Sequence, residues 1–338
     1  MELTPERLTA QLASEPLRPA YLIAGPETLR VLEAADAVRD LPAQEGIGAR
    51  ILDAARAGIQ DVEASLAAIE KRGYANKRDA DGVEAGLDAA QFAGPALKEL
   101  AQSRKEGLPF IPYVPRAISN TRILPQTLVV PGKLSREIAM AACPGEYESA
   151  NFVLQATAPV KGLRLEATAL TSARGRIPAD ALDIRVVKCW YQSGIGIGFA
   201  NQRVLAPELL LKDDGLVRVD YDKKENSLRS TDATGKHSYL PCSGADSAHL
   251  ADVRPLDAPA LVPVEIAADT VKQFWITLKV PGTTPPGDYE GSIRIQAEGA
   301  PASAMRLRVR VYPFRLEECP LQHSIYYRGI LTADGRGS

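Results

Sequence analysis

The chain is poor in the residues that most often carry chemistry. Of 338 residues, four are cysteine (Cys143, Cys189, Cys242, Cys319) and three are histidine (His237, His249, His323). The cysteines are scattered and form no C-x-x-C pair, so no spacing supports a metal site, and buried free thiols are the expected state. A Cys189–Cys242 disulfide stays open for an exported chain. Net charge is also missing. Forty basic residues against 42 acidic ones leave −2, which excludes the bulk basic footprint of a nucleic-acid-binding protein. No apolar run reaches the roughly 18 residues of a membrane span. Glu2, Glu6 and Arg7 interrupt the start, and the apolar stretch from Ala20 to Ala24 is too short for a secretory signal. The compartment is open, and the chain as written reads as cytoplasmic.

What is there falls into two compositions. Residues 1–104 hold 23 alanines, three aromatics and six prolines, whereas residues 105–338 hold 16 aromatics and 19 prolines. Alanine favours helices, while aromatic and β-branched runs punctuated by Pro and Gly favour strands. Net charge changes from −5 to +3 across the same boundary. The division expected is an α/β segment over 1–59, a helical hairpin linker over 60–107, a β-sandwich over 108–316 and a further element beginning at 317.

In the first segment Thr4-Pro5-Glu6 starts a helix, Tyr21–Ala24 reads as a short buried strand, Pro26–Arg39 as a helix and Arg50-Ile51-Leu52 as a second strand. Gly25-Pro26-Glu27-Thr28 stands where a phosphate loop would sit. It lacks the second glycine and the lysine such a loop needs, Pro26 has no amide to donate, and Glu27 would repel an anion. Met1–Glu6, Leu8, Gln11-Leu12, Ala20–Glu27 and Val31–Ala37, with Glu45–Ile47 and Ala49–Ile51, resemble the start of the DNA polymerase III delta subunit. That resemblance implies a degenerate clamp-loader fold without ATPase activity, acting through protein–protein contacts. It stops near residue 55.

In the linker Val62, Leu66 and Ile69 share a helix face that Gly73 ends, Asp79 is placed to cap a second helix carrying Val83 and Leu87, and Gly94-Pro95 is expected to break it.

From residue 109 the period drops to two. Gly162–Ala167, Ser292–Ala297 and Met305–Val311 alternate cleanly, and further strands are expected at 151–156, 183–191, 216–220, 262–267 and 272–280. With Pro281-Gly282 and Pro285-Pro286-Gly287-Asp288 as punctuation, the expected fold class is mixed and mainly β: a short α/β start and helical linker, then an antiparallel immunoglobulin-like sandwich.

The chemical candidates here are few. Arg306, Arg308 and Arg310 form a stripe for which Glu290 and Glu298 offer cross-strand partners, so a solvated sheet face is expected rather than an anion site. Gly194–Gly198 is not a dinucleotide loop. Asp213-Asp214-Gly215 and Asp220-Tyr221-Asp222 cluster carboxylates but read as turns. No nucleophile elbow is present. Trp190-Tyr191 and Trp275 can stack on a sugar ring or sit in a core.

Pro112–Pro125, Cys143–Glu148, Val186–Gln192, Pro207–Asp214, Lys272–Thr277 and Pro285–Gly291 together resemble the β-sandwich module that precedes the catalytic barrel in proteins of the glycoside hydrolase family 123 type. In that family an Asp-Glu pair on a downstream barrel works with the substrate's own N-acetyl group. After Tyr312-Pro313-Phe314 the chain offers only the beginning of a barrel, which needs about 250 residues. The resemblance therefore implies a non-catalytic accessory module of a glycoside-hydrolase-like protein, a fragment whose parent is a glycosidase. No catalytic, cofactor or metal residue is assigned, no cofactor is implied, and Trp190 and Tyr191 are the candidate glycan contacts. The partners expected are a catalytic barrel, in cis or in trans, and a glycan, with no membrane and no nucleic acid. The alternatives are a clamp-loader-like replication subunit and a chimeric or mis-assembled reading frame.

Overall fold

The computed structural model describes residues 45–317, apart from 74, 120, 131, 194–201, 245–247 and 251–252, together with positions 35, 38, 39 and 41. The first elements described in full are two helices, α1 (Ile47–Arg72) and α2 (Lys77–Lys105). Helix α1 buries Ile47, Ile51, Leu52, Ala55, Ile59 and Val62 on one face. The strand expected at 50–52 is therefore helix. Its apolar pair belongs to a 3.6-residue stripe that three residues cannot reveal. The rest of the α/β start expected over 1–59 lies largely outside the described residues.

Gly73 ends α1 in the left-handed region (φ 74°) and donates its N–H to the Ile69 carbonyl at 2.8 Å. Helix α2 is capped by Asn76, not by Asp79. Asp79 is instead the third helical residue and returns the bond, in a reciprocal capping box. Gly94-Pro95 does not break the helix. Pro95 and Gln91 are exposed, so the carbonyl that loses its amide partner meets water, while Phe92, Ala93, Ala96, Leu97 and Leu100 continue the buried face. The helices touch through glycine, because a Cβ on Gly86 would lie 2.3 Å from the Gly58 carbonyl oxygen.

The remainder is β. One sheet has the order β1 (Phe110–Tyr113), β3 (Tyr147–Ala156), β13 (Val271–Lys279), β7 (Leu182–Ser193), β8 (Arg203–Leu211). The other runs β12 (Val264–Ile266), β4 (Val160–Ala167), β14 (Gly287–Gln296), β15 (Ser303–Val311), β2 (Glu137–Ala142), with the small hairpin β5 (Leu170–Ser172) and β6 (Gly175–Ile177) at its side. A third, small sheet joins β11 (His237–Pro241), β10 (Glu225–Thr231) and β9 (Val217–Asp220). Every expected strand of the sandwich falls on an observed one. Its antiparallel character has one exception: β2 pairs with β15 in parallel, Glu137 opposite Arg306.

The first two sheets enclose one core. Phe152, Leu154, Phe274 and Ile276 from one meet Leu163, Ile293, Leu307 and Val309 from the other, all 1% exposed or less. Phe152 and Phe274 are direct partners across β3 and β13, with ring centroids 5.1 Å apart. Each such side chain contributes about 1.5–3 kcal/mol relative to exposure. The opposite face of the five-stranded sheet is covered too. Ile111, Tyr113, Val153 and Val271 form a second core with α1, α2 and the segment containing Ile123 and Val130. Strand β3 is consequently buried at seven consecutive positions from Ala150 to Ala156, because both its faces are packed.

Candidate functional site

Two polar residues within that buried run of β3 fasten residues 115–135 across the outer face of the sheet. Asn151 and Gln155 are each 1% exposed. The Asn151 side-chain amide donates to the Arg116 carbonyl at 3.1 Å, and that of Gln155 to the Leu128 carbonyl at 3.2 Å. The Tyr113 hydroxyl donates to Gln155 Oε1, and burial pushes that phenol far above its ordinary range. Val271 N–H donates to the Pro125 carbonyl at 2.9 Å, and the Cys189 thiol to the Ile123 carbonyl at 3.6 Å. Burial, opposed by Lys272 and Lys188, pushes the Cys189 thiol up to about 11, so it is a packing group and not a nucleophile. Cys143, Cys189 and Cys242 are free thiols; Cys319 lies outside the described residues.

Where this strap leaves the sheet uncovered there is a recess of about 290 Å³. Its floor is β-sheet: Trp275 and Gln273 on one face of β13, Val187 on β7, and Leu210, paired with Val187, on β8. Trp275 stands between Asn151 and Arg185 in register. Arg116 and Ser119 come from the strap, and Glu208 from the edge strand β8. Gln273 donates to Asn151 Oδ1 at 3.1 Å, the same amide that holds Arg116. Glu208 lies next to Pro207, which faces Cys189 at a bulge; an edge strand and a bulge are places where a sheet accepts proline.

The two sequence candidates are on β7, and neither is among the residues that line this recess. The Trp190 ring packs against the sandwich core, and its indole N–H donates to Glu208 Oε2 at 2.5 Å. Gln192 donates to the same oxygen. Tyr191 turns elsewhere. Its ring meets Tyr221 edge-on with centroids 6.5 Å apart, and its hydroxyl donates to the Tyr221 carbonyl at 3.4 Å. Asn226, 3% exposed, clamps the Tyr191 backbone from both sides, accepting at 2.9 Å and donating at 2.7 Å.

Asp213 and Asp214 are more than a turn. Asp213 accepts from the Gly215 amide at 2.8 Å and pairs with Arg229 at 2.5 Å. Asp214 lies between Lys272 (2.9 Å) and Lys188 (3.3 Å), all three largely buried. Burial would raise the Asp214 carboxyl, but Lys272 and Lys188 hold it below its ordinary range. Lys188 is lowered, chiefly by burial, despite Asp214. Both groups are lowered for opposite reasons: two ammonium groups outweigh burial at the one carboxylate they share, whereas at Lys188 burial outweighs the attraction of Asp214. Asp220 behaves as the turn expected, accepting from the amides of Asp222 and Lys223 at 3.1 and 2.9 Å.

The arginine stripe is a paired, solvated face. Arg306 reaches Glu290 at 2.7 Å as expected, but Glu298 takes no part. Its place is filled by Glu137 beneath Arg306 and Arg308 and by Asp288 opposite Arg310. Glu137 was hidden because β2 joins β15 from a distant part of the chain. A wider groove of about 1240 Å³ runs along α2, lined by Asp81, Glu84 and Asp88 as well as Lys77 and Lys133. Among the described residues no group of three His, Cys, Asp or Glu side chains is placed to hold a metal ion. No described helix is long and apolar enough to cross a membrane. The loop at 194–198 and His323 lie outside the described residues.

No protein-family model matches the chain, and no curated protein matches it. Among solved structures it is similar to a family 123 glycoside hydrolase from Clostridium perfringens, with 13% identity, a TM-score of 0.36, and coverage of 61% of this chain and 28% of that one. The chain thus spans little more than a quarter of that enzyme's length. It is also similar to a PapD-like domain of human CEP192, with 12% identity, a TM-score of 0.22 and coverage of 54% and 84%. A third similarity is to the CFA/I adhesin CfaE of enterotoxigenic E. coli, with 10% identity, a TM-score of 0.23 and coverage of 61% and 49%. TM-scores of this size decide neither fold nor function; the sheet order above decides the first.

Sequence reasoning missed Glu208, Gln273, Arg116 and Asn151. The one signal for Glu208 is a lone carboxylate inside the apolar run Val204–Leu211. Asn151 and Gln155 gave none, since their role depends on a strap that packs from elsewhere.

Proposed function

We propose that residues 108–316 are a non-catalytic β-sandwich accessory module of a glycoside-hydrolase-like protein, braced by the helical hairpin before it and followed from 317 by the beginning of a catalytic barrel. Its work is to pack against that barrel and help shape its substrate face, and to meet a glycan directly in the region of Trp190 and Tyr191; its partners are that glycan and the barrel, in cis or in trans. The observation that supports the reading is the recess. Trp275, Gln273, Glu208 and Arg116 are among the residues that line it, above a floor of paired strands, and a concave lining of apolar and polar residues is what a small-molecule site requires. The segments that carry the family resemblance at 112–125, 186–192, 207–214 and 272–277 all contribute to it.

The purified chain, incubated with an aryl N-acetylgalactosaminide and passed over a glycan array, is expected to release no aryl alcohol and to retain glycans. Turnover, or an empty array, would overturn the reading. The clamp-loader alternative gains nothing from the described residues, where the one expected strand that falls among them, 50–52, is helix.

A further inference from the structure

We propose that the recess over Trp275 is a carbohydrate site that takes one neutral pyranose ring, with Trp275 as its platform and Glu208, Gln273 and Arg116 as its polar contacts. The inference rests on the accessory-module reading and names the ligand-contacting residues that reading leaves open.

Size comes first. About 290 Å³ lies at the small end of ligand pockets, which run from roughly 300 to 1,000 Å³. That admits a sugar ring with its substituents and excludes a dinucleotide or a folded peptide. The shape of the chemistry follows. A pyranose has an apolar C–H face and a rim of hydroxyls, each both donor and acceptor. Trp275 is half-buried in the middle of β13, so its ring is held by the sheet, and its indole N–H has no partner among the described residues. This is the amphipathic surface such a ring needs.

The polar rim has both signs. Glu208 Oε2 is already occupied by Trp190 and Gln192, which leaves Oε1 to accept from hydroxyls. Gln273 gives its N–H to Asn151 and keeps its carbonyl oxygen. The Arg116 guanidinium has no carboxylate partner among the described residues and can donate. A polyol uses donors and acceptors together. An acidic sugar would meet the Glu208 carboxylate, and a cation would meet Arg116. The groups are also fixed before a ligand arrives: Glu208 by two side-chain donors, Gln273 by Asn151, and the strap that carries Arg116 by the same Asn151. Such preorganisation cuts the ordering cost of binding. Trp190 is thus a positioning residue, acting through Glu208.

The chain has two tryptophans, so a ¹H–¹⁵N spectrum carries two indole signals, assigned by Trp275→Phe. The full chain is titrated with methyl galactopyranoside, methyl glucopyranoside and methyl N-acetylgalactosaminide, and with glucuronate and adenosine. The expected result is a saturable shift of the Trp275 indole signal by a neutral pyranoside, with affinity weakened about tenfold in Arg116→Ala by the same signal and about tenfold in Trp275→Ala by titration calorimetry, the worth of one well-placed contact. Arg116 is exposed on the strap, so that variant keeps the test valid if Trp275→Ala fails to fold. A shift confined to the Trp190 signal, or binding intact in both variants, overturns this site and leaves the accessory module standing. Preference for adenosine or glucuronate overturns the sugar class assigned. Silence from every probe together with an empty glycan array overturns the site and the module reading alike.

Discussion

The indole N–H of Trp190 donates to Glu208 Oε2 at 2.5 Å, and Gln192, two residues along the same strand, donates to the same oxygen. A tryptophan that sequence alone offers as a stacking platform thus spends its polar edge on fixing a carboxylate. Trp190→Phe keeps the ring against the core and removes the donor. The bond is charge-assisted but its acceptor is exposed, so a loss of about 1 kcal/mol in chemical denaturation is expected. A loss above about 3 kcal/mol would mean that the ring is a core anchor and the tether incidental.

Asn151 makes a different kind of prediction, because it is buried and its two bonds join the strap to the floor of the recess. Asn151→Leu would strand the Arg116 carbonyl and the Gln273 amide. Leaving buried polar groups unpaired costs about 1–3 kcal/mol. The more telling readout is local: trypsin should cut after Arg116 and Arg122 faster in the variant than in the parent chain. Equal cleavage rates would mean that Gln155, Cys189 and the Pro125 carbonyl suffice to hold the strap.

The helical hairpin tests whether close backbone approach is needed at Gly86. A Cβ there would lie 2.3 Å from the Gly58 carbonyl oxygen and 2.5 Å from Val62 Cγ2, so Gly86→Ala must push the helices apart, at about 1–3 kcal/mol. At Gly82 the added Cβ meets only the Ser65 hydroxyl, at 3.2 Å, and the helix gains propensity. Gly82→Ala is expected to be neutral or stabilising by about 0.5 kcal/mol. Thermal denaturation of both variants reads the contrast, and equal shifts would refute the packing argument.

These residues also show what was legible in the sequence. The clean alternation at 162–167, 292–297 and 305–311 marks strands of a sheet with one face in the core and one in water, and their outward arginines are paired as such a face requires. Strand β3 is packed on both faces, so its residues lose the alternation and keep only their apolar run. Residues 50–52 are apolar for a helical reason that shows only across the whole of α1. The recess was the least legible part. Trp275 stands out by its residue type, but Glu208, Arg116 and Asn151 come together only because three separate segments cross one sheet.

Asp214 gives a prediction with a sign in pH. Its side chain is 23% exposed, between Lys188 at 14% and Lys272 at 18%. Asp214→Asn leaves two largely buried ammonium groups without their counter-charge. Breaking a buried pair on one side costs roughly 3–5 kcal/mol, and the residual exposure here argues for about 3. Because the folded carboxyl is held below its unfolded value, the stabilisation is present in full above the unfolded value of about 3.9 and is lost as pH falls through the lower, folded one. Urea denaturation should therefore separate the parent chain from Asp214→Asn at pH 7 and bring the two together as the pH is taken down towards 2. A gap that stays constant over that range would show that Asp214 acts through its shape and hydrogen bonds, and that its charge contributes nothing.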